Sequence, residues 1–442
     1  MATLKSHAVG FYLRRGPGLA RGWHGFKRVL TRARRTLTFY YQTDDPYSHL
    51  LAQALVPLFE AAPTLALEPI VVPPPAADAD PEPQKRRAFA MRDCAELARH
   101  TTLRFPADPT EPAADRVRRV DAVLLEKREP LEWLRRAVRL GHALWADDPD
   151  ALAEAVREYG TVAGHTVRPR VEANYKALRS AGHYMGGMIH YAGEWFWGVD
   201  RLGFLRARLA RDGIGVEVPE RTYSAEAHAA APRFEPAFTS GGRVPLDLWF
   251  SFRSPYSYIA AIEVERWMQS MPIDLRLRPI LPMVTRGLPV PRQKVLYIAR
   301  DAKRIADARG IPFGTIRDPL GEGVERCLAM VDLVERERGV ESALRFACRA
   351  YEGIWSRGVD VATMVGLRAV ADEAGVRDLV DALHAAGDSW LAPCEANRVE
   401  LDELGLWGVP CFRLGDGWSS WGQDRLWILE GRIRAALRYP PA

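Results

Sequence analysis

The sequence predicts an α/β chain that runs twice through one plan: a β-α-β unit, a helical stretch, then a β-β-α unit. Two observations carry this prediction. Short apolar runs of strand character alternate with segments of helical spacing. The two halves also share five short matches in the same order, and repeats of that kind decide the reading of the whole fold. A chain of 442 residues is long enough for two or three domains.

The matches begin at a strand. Leu37-Thr38-Phe39-Tyr40-Tyr41, followed four residues later by Pro46-Tyr47-Ser48, recurs as Leu246-Asp247-Leu248-Trp249-Phe250 and Pro255-Tyr256-Ser257. Arg92-Asp93 recurs as Arg300-Asp301, and Trp145 answers to Trp355. Glu172-Ala173-Asn174 recurs as Glu395-Ala396-Asn397. Trp197-Gly198-Val199-Asp200-Arg201-Leu202 recurs as Trp421-Gly422-Gln423-Asp424-Arg425-Leu426.

Elements are clearest in the second half. Leu246 to Phe250 is a first strand, and a Ser-Pro pair then starts a helix with apolar spacing from Ile259 to Met268. Ile273 to Leu277 alternates apolar and polar residues, as a second strand does. Nearly every segment from about 293 to 386 has helical periodicity. Gly408 to Leu414 and Trp418 to Trp421 then form a hairpin around Gly415-Asp416-Gly417, and Asp424 to Leu437 closes as a helix. A β-α-β unit, a helical insertion and a β-β-α unit make the thioredoxin plan with an inserted helical domain. The boundaries are a basic tail over 1–35, a first domain over 36–215, a Pro-, Ala-, Gly- and Ser-rich linker over 216–243 and a second domain over 244–442. A loop dense in Pro, Ala and Asp, Val72 to Pro83, lies inside the first copy.

Composition narrows the class. Hydrophobic residues make up 48% and charged residues 26%, as in an ordinary globular protein able to bury a core in each half. The net charge of +5 is concentrated ahead of Asp44, the first acidic residue, so a nucleic-acid-binding surface is not implied. The tail has no continuous apolar segment of signal-peptide length, and no window approaches a membrane span of about 20 apolar residues. Cys94, Cys327, Cys348, Cys394 and Cys411 are dispersed, with no C-x-x-C pair. That pattern argues against a disulfide scaffold and against a metal site, and it leads to a reducing, cytoplasmic location.

Three groups of residues carry possible chemistry. Ser254-Pro255-Tyr256-Ser257 stands at a strand-to-helix junction, where unpaired N–H groups and the helix dipole favour an anion. A thiol placed there has its pKa lowered, and a Ser hydroxyl there donates to a thiolate supplied by another molecule. Ser at the N-cap with Pro at N1 is also how ordinary helices begin. Gly408-Val409-Pro410 enters a strand at the place where thioredoxin folds carry a cis X-Pro bond. The N–H and C=O of Val409 then pair with a bound peptide as an added strand does, although a plain edge-strand turn has the same composition. Gln423 and Asp424 occupy the first turn of the closing helix, suited to capping or to an α-amino group.

Taken together, Phe250 to Tyr258, Arg278-Pro279, Lys294 to Phe313, Gly408 to Phe412 and Trp421 to Leu426 resemble the 2-hydroxychromene-2-carboxylate isomerase family. That family groups with kappa-class glutathione transferases in the DsbA-like branch of the thioredoxin superfamily. The resemblance covers about residues 244–437 and, more loosely, the first copy, so the fold it implies is two DsbA-like domains in tandem duplication. It implies glutathione as cosubstrate. Ser254 would face the sulfur, Val409 before cis Pro410 would clamp the cysteinyl unit, and Gln423 and Asp424 would hold the γ-glutamyl end. Lys294 would pair with a carboxylate of glutathione or substrate, and Asn397 would support the site, an ordinary helix-surface amide being the favoured competing reading. The family's Gly-rich loop after Arg-Pro-Phe is replaced here by Pro282-Met283 and the Pro-rich stretch Leu288 to Pro291, so the substrate pocket departs from the family's. Cys411 stands where a small polar residue is common.

The first copy departs further. Asp45 occupies the position of Ser254, where a carboxylate repels a thiolate, and Met185-Gly186 stands opposite Val409-Pro410. This half is expected to be structural or to shape its neighbour's pocket. The activity implied is glutathione-dependent isomerisation or transfer on a small conjugated or aromatic electrophile. The competing readings are a thiol-disulfide oxidoreductase without C-x-x-C and a catalytically silent binding or scaffold protein. A pseudo-dimer of the two domains and a homodimer are the candidate assemblies.

Overall fold

The computed structural model describes residues 36–62, 64–214 and 242–438. The tail over 1–35 and nearly all of the linker over 216–243 lie outside them. The chain divides into two compact units, one containing residues 36–214 with 291–294, the other 242–290 with 295–438.

In the first unit β1 (Thr36–Tyr41), α1 (Pro46–Ala61) and β2 (Ala66–Val71) form the opening β-α-β unit. Five helices follow: α2 (Pro83–His100), α3 (Ala114–Leu124), α4 (Pro130–Trp145), α5 (Pro149–Tyr159) and α6 (Gly164–Ala181). Then β3 (Met188–Tyr191), β4 (Glu194–Trp197) and α7 (Leu202–Arg211) close it. The sheet order is β2-β1-β3-β4, with β1 parallel to β2 and antiparallel to β3. α1 packs against α4 and α2.

The second unit repeats the order and the strand senses. It opens with β5 (Val244–Phe250), α8 (Pro255–Met268) and β6 (Ile273–Pro279), and its sheet runs β6-β5-β7-β8. The inserted helices are α9 (Arg292–Ala308), α10 (Glu322–Arg338), α11 (Val340–Trp355), α12 (Met364–Glu373), α13 (Leu383–Ala386) and α14 (Leu391–Glu403). β7 (Cys411–Leu414), β8 (Ser419–Trp421) and α15 (Leu426–Arg438) complete it.

Sequence dictates these elements locally. β5 is aromatic and branched and is buried almost throughout, as a strand covered on both faces must be. β6 alternates buried and exposed residues along its length. α8 and α11 pack on one another and enclose Phe252, Tyr258 and Tyr351, whose rings lie 4.9–5.8 Å apart. Trp145 and Trp355 both end a helix, α4 and α11. The helical stretch is interrupted between α9 and α10, where Thr315 bridges to Arg357 as a short extended segment.

Register corrects one correspondence. Tyr40 pairs with Met188 in the first sheet, and Trp249 pairs with Cys411 in the second. Gly198 N donates to Gly187 O at 2.8 Å, just as Gly422 N donates to Pro410 O at 2.8 Å. Gly186-Gly187, not Met185-Gly186, therefore stands opposite Val409-Pro410. The shift by one residue was hidden because neither glycine resembles valine or proline.

Candidate functional site

The site of the second unit is built where β5 ends. Ile280 N donates to Phe250 O, closing the parallel pair, and Ser254 N donates back to Ser251 O at 2.9 Å. This turn delivers Ser254 to the N-cap of α8 with extended backbone angles, φ −102° and ψ 113°. Its Oγ accepts from Ser257 N at 3.1 Å and satisfies one orphan donor of the first turn. The same hydroxyl donates to Val409 O at 3.2 Å.

The Val409–Pro410 peptide is cis. Gly408, immediately before it, has no room for a side chain, because a Cβ there would meet Trp421 Cζ2 at 2.7 Å. Trp421 in turn packs on Trp407, with ring centroids 4.4 Å apart. Arg286, in the short turn after β6, donates through Nη2 to Trp407 O at 2.9 Å. Ser254 and Val409 are both half-buried, so this junction reaches solvent. Among the described residues the Val409 N–H makes no hydrogen bond, which leaves a backbone donor beside the hydroxyl.

Gly422 opens a single 3-10 turn, Gln423–Arg425, ahead of α15. Gln423 is only 1% exposed, so its side chain faces the interior, and its Nε2 donates to Asp424 Oδ1. Asp424 is half-buried at the surface of that turn. Ser254, Val409, Pro410 and, through the Gly422–Pro410 bond, the Gln423-Asp424 turn are thus joined by a continuous run of hydrogen bonds. Lys294 groups instead with the first unit, where its Nζ donates to Ala79 O at 3.1 Å. Asn397 is buried rather than on a helix surface. Its Nδ2 donates to Pro279 O at 3.1 Å and its carbonyl accepts from Trp249 Nε1 at 2.8 Å, tying α14 to the sheet.

All five cysteines are buried and none forms a disulfide. Burial pushes the Cys394 thiol up to about 12 and the Cys327 and Cys348 thiols upward as well, so none is a thiolate at neutral pH. Cys411 is fully buried, and its Sγ donates to Gly408 O at 3.0 Å. Among the described residues no cluster of His, Cys, Asp and Glu suits a metal ion, and no helix is long and apolar enough to cross a membrane.

The first unit has the same frame with different chemistry. Asp45 caps α1, its Oδ2 accepting from Ser48 N at 2.9 Å and Ser48 Oγ at 2.7 Å. The carboxyl is 4% exposed; burial pushes its pKa up, while the charge of Arg86 and the Ser48 bonds pull it back. Gly187, at φ +66°, replaces the proline, and a Cβ there would stand 3.0 Å from Asp45 Oδ2. The gap facing the helix start is thus narrow and filled by carboxylate. Two further pairs were missed in the sequence, although their residues lay within the repeated segments. Tyr47 donates to Asp93 at 2.7 Å and Tyr256 to Asp301 at 2.8 Å, each linking the first turn of the capped helix to the next helix.

Known proteins resemble the second unit. A family model described as a DSBA-like thioredoxin domain matches residues 245–434. A 2-hydroxychromene-2-carboxylate isomerase from Sphingobium xenophagum is 26% identical over 198 residues, covering 42% of this chain and 97% of that protein. Among solved structures, one of a 2-hydroxychromene-2-carboxylate isomerase is 24% identical with a TM-score of 0.36, covering 43% of this chain and 94% of that one. The cytosolic disulfide reductase DsbM from Pseudomonas aeruginosa, solved with GSH, is 20% identical with a TM-score of 0.32, covering 43% and 99%. Residues 245–434 therefore form a DsbA-like thioredoxin domain, homologous over that one domain to 2-hydroxychromene-2-carboxylate isomerase.

Proposed function

We propose that the second unit binds glutathione and uses its thiolate to isomerise, or to join to glutathione, a small conjugated or aromatic electrophile. The observation that carries this reading is the contact between the Ser254 hydroxyl, at the start of α8, and the carbonyl of the cis peptide before Pro410. Without a thiol the Ser254 proton rests on Val409 O. A thiolate entering the junction takes that proton as its hydrogen bond, and the positive end of α8 stabilises its charge. The free Val409 N–H, with the carbonyl released by Ser254, pairs with the cysteinyl backbone as an edge strand pairs with a peptide. Asp424 takes the γ-glutamyl ammonium, and Gln423 acts behind it by fixing the carboxylate.

Chemistry follows from holding both reactants. The thiolate sulfur forms a bond to the electrophilic carbon, and the double-bond electron pair moves onto the conjugated carbonyl oxygen. The former double bond rotates, the pair returns, and the sulfur leaves with its electrons, so glutathione is regenerated. If a leaving group departs instead, the sulfur stays attached and the reaction is transfer. Proximity and preorganised dipoles supply the acceleration. Disulfide exchange through the protein's own thiols is disfavoured, since Cys411 is inaccessible and no two cysteines form a disulfide.

The matching sheet order, cap bonds, Gly-to-residue-187 and Gly-to-residue-410 bonds, and Tyr–Asp pairs support a tandem duplication in which the first copy has lost the thiol site. Cysteines without disulfides and a glutathione-using site both suit a reducing cytoplasm. Calorimetric titration with reduced glutathione tests the reading. Binding is expected for the wild type and lost in a Ser254→Ala, Pro410→Ala variant. Equal affinities would remove the proposal.

A further inference from the structure

Two cations meet in the first unit on consecutive residues of the loop between β2 and α2. Arg86, in the first turn of α2, pairs through Nε with Asp80 Oδ2 at 2.7 Å, and the two side chains are 9% and 5% exposed. Next to that pair, Lys294 Nζ donates to Ala79 O at 3.1 Å and lies 6.0 Å from the centre of the Tyr184 ring. Residues 291–294 belong to this unit.

The hydrogen-bonding capacity of the pair is not used up. Arg86 Nη2 is buried with no partner among the described residues. Lys294 spends one of its three protons on Ala79 O. The acids around them have hydrogen-bond partners of their own. Asp80 is held by Arg86, and Asp78 forms a two-pronged pair with Arg179 at 2.8 and 3.0 Å. Asp45 Oδ2 takes both donors of Ser48. Burial is the largest influence on the Lys294 ammonium and lowers its pKa; Asp80 opposes this, and the Arg86 charge adds to it. The Arg86 charge also acts on the Asp45 carboxylate, so what is left over at this place is donor capacity rather than charge.

We propose that Arg86 Nη2 and Lys294 Nζ together hold one oxyanion, a carboxylate or a phosphate of a small ligand, at a site in the first unit. A buried N–H without an acceptor is costly, and an anionic oxygen here removes that cost by accepting from both cations. The planar guanidinium offers a directed donor and the ammonium a point charge, a combination matched to an oxyanion with lone pairs on two oxygens. The assignment is independent of glutathione binding at Ser254. It gives the first unit, whose capped-helix site is closed by Asp45, a ligand of its own.

The test uses the intact chain titrated separately with inorganic phosphate and with acetate, followed by calorimetry and thermal unfolding, with chloride at equal ionic strength as control. At least one oxyanion is expected to bind and raise the unfolding temperature. Arg86→Lys, which keeps the charge but removes Nη2, and Lys294→Gln are each expected to weaken binding by about tenfold or more. Lys294→Arg, which restores the charge, is expected to recover most of it and shows that a loss in Lys294→Gln is not misfolding. Binding of phosphate alone marks a phosphate-bearing ligand, and binding of acetate marks a carboxylate. The proposal is overturned if neither oxyanion binds in excess of chloride, or if Arg86→Lys and Lys294→Gln both bind as the wild type does.

Discussion

Ser254 Oγ donates to the carbonyl oxygen of Val409 across 3.2 Å, joining the first turn of α8 to a cis peptide 155 residues later in the chain. The hydroxyl therefore holds two positions at once, as acceptor for Ser257 N and as donor to the clamp.

The two roles separate by substitution. Ser254→Ala removes the cap and is expected to cost about 1 kcal/mol of stability, together with most of the glutathione affinity. Ser254→Asp keeps a good N-cap, so its denaturation midpoint stays near that of the wild type, while its charge expels a thiolate. Chemical denaturation and glutathione titration of both variants check this. An aspartate variant that binds glutathione normally contradicts the thiolate role.

Gly408 is expected to tolerate no side chain. In Gly408→Ala the new methyl meets Trp421 Cζ2 at 2.7 Å and Nε1 at 2.8 Å. Overpacking of this kind costs roughly 1–3 kcal/mol. The change is read as a lowered unfolding temperature with altered tryptophan fluorescence, and as weaker glutathione binding because Val409 moves.

Asp121 sets a pH dependence for the first unit. Its pKa is raised to about 7, chiefly by burial and further by Asp44, against the opposing hydrogen bond from Thr43 at 2.6 Å. The folded state then holds a proton that the unfolded chain releases near its ordinary carboxylate pKa. Stability falls as pH rises from the unfolded value through about 7, and the full penalty persists above it. Asp121→Asn keeps an acceptor for Thr43 and removes the penalty. Urea midpoints are expected to match only below the unfolded carboxylate pKa, near pH 3–4, and to favour the variant increasingly up to pH 8, by roughly 1–4 kcal/mol.

Thiol chemistry belongs to the ligand in this reading. A thiol reagent is expected to leave the native chain unmodified, since all five cysteines are buried, and to label all five after denaturation. Cys411→Ser retains a donor for Gly408 O and is expected to leave glutathione affinity and turnover unchanged. Rapid native labelling of Cys411, or activity abolished by that substitution, points to a protein-based thiol mechanism.

Much of this was legible in the sequence because the signals are local. Ser254-Pro255 announces a capped helix, and a strand of branched and aromatic residues announces β5 whatever lies around it. What escaped depended on distant groups. The one-residue shift to Gly186-Gly187 is decided by pairing between β1 and β3, which composition does not encode. Gln423 reads as a surface contact beside Asp424, yet it is turned inward, following Gly422 at φ +91°. Lys294 reads as part of the second copy because it begins a helix there, while its Nζ donates to Ala79 far upstream.

Each unit fastens its first helix twice, once at the cap and once through a phenol, Tyr47 or Tyr256, bound to the buried carboxylate of Asp93 or Asp301. The second fastening bears the mechanical load of placing the helix, so the residue at its tip is released from that duty. Aspartate caps one helix and serine the other, with the same seat for both helices. Reactivity in this architecture can therefore be rewritten by a single codon while the scaffold around it stays put.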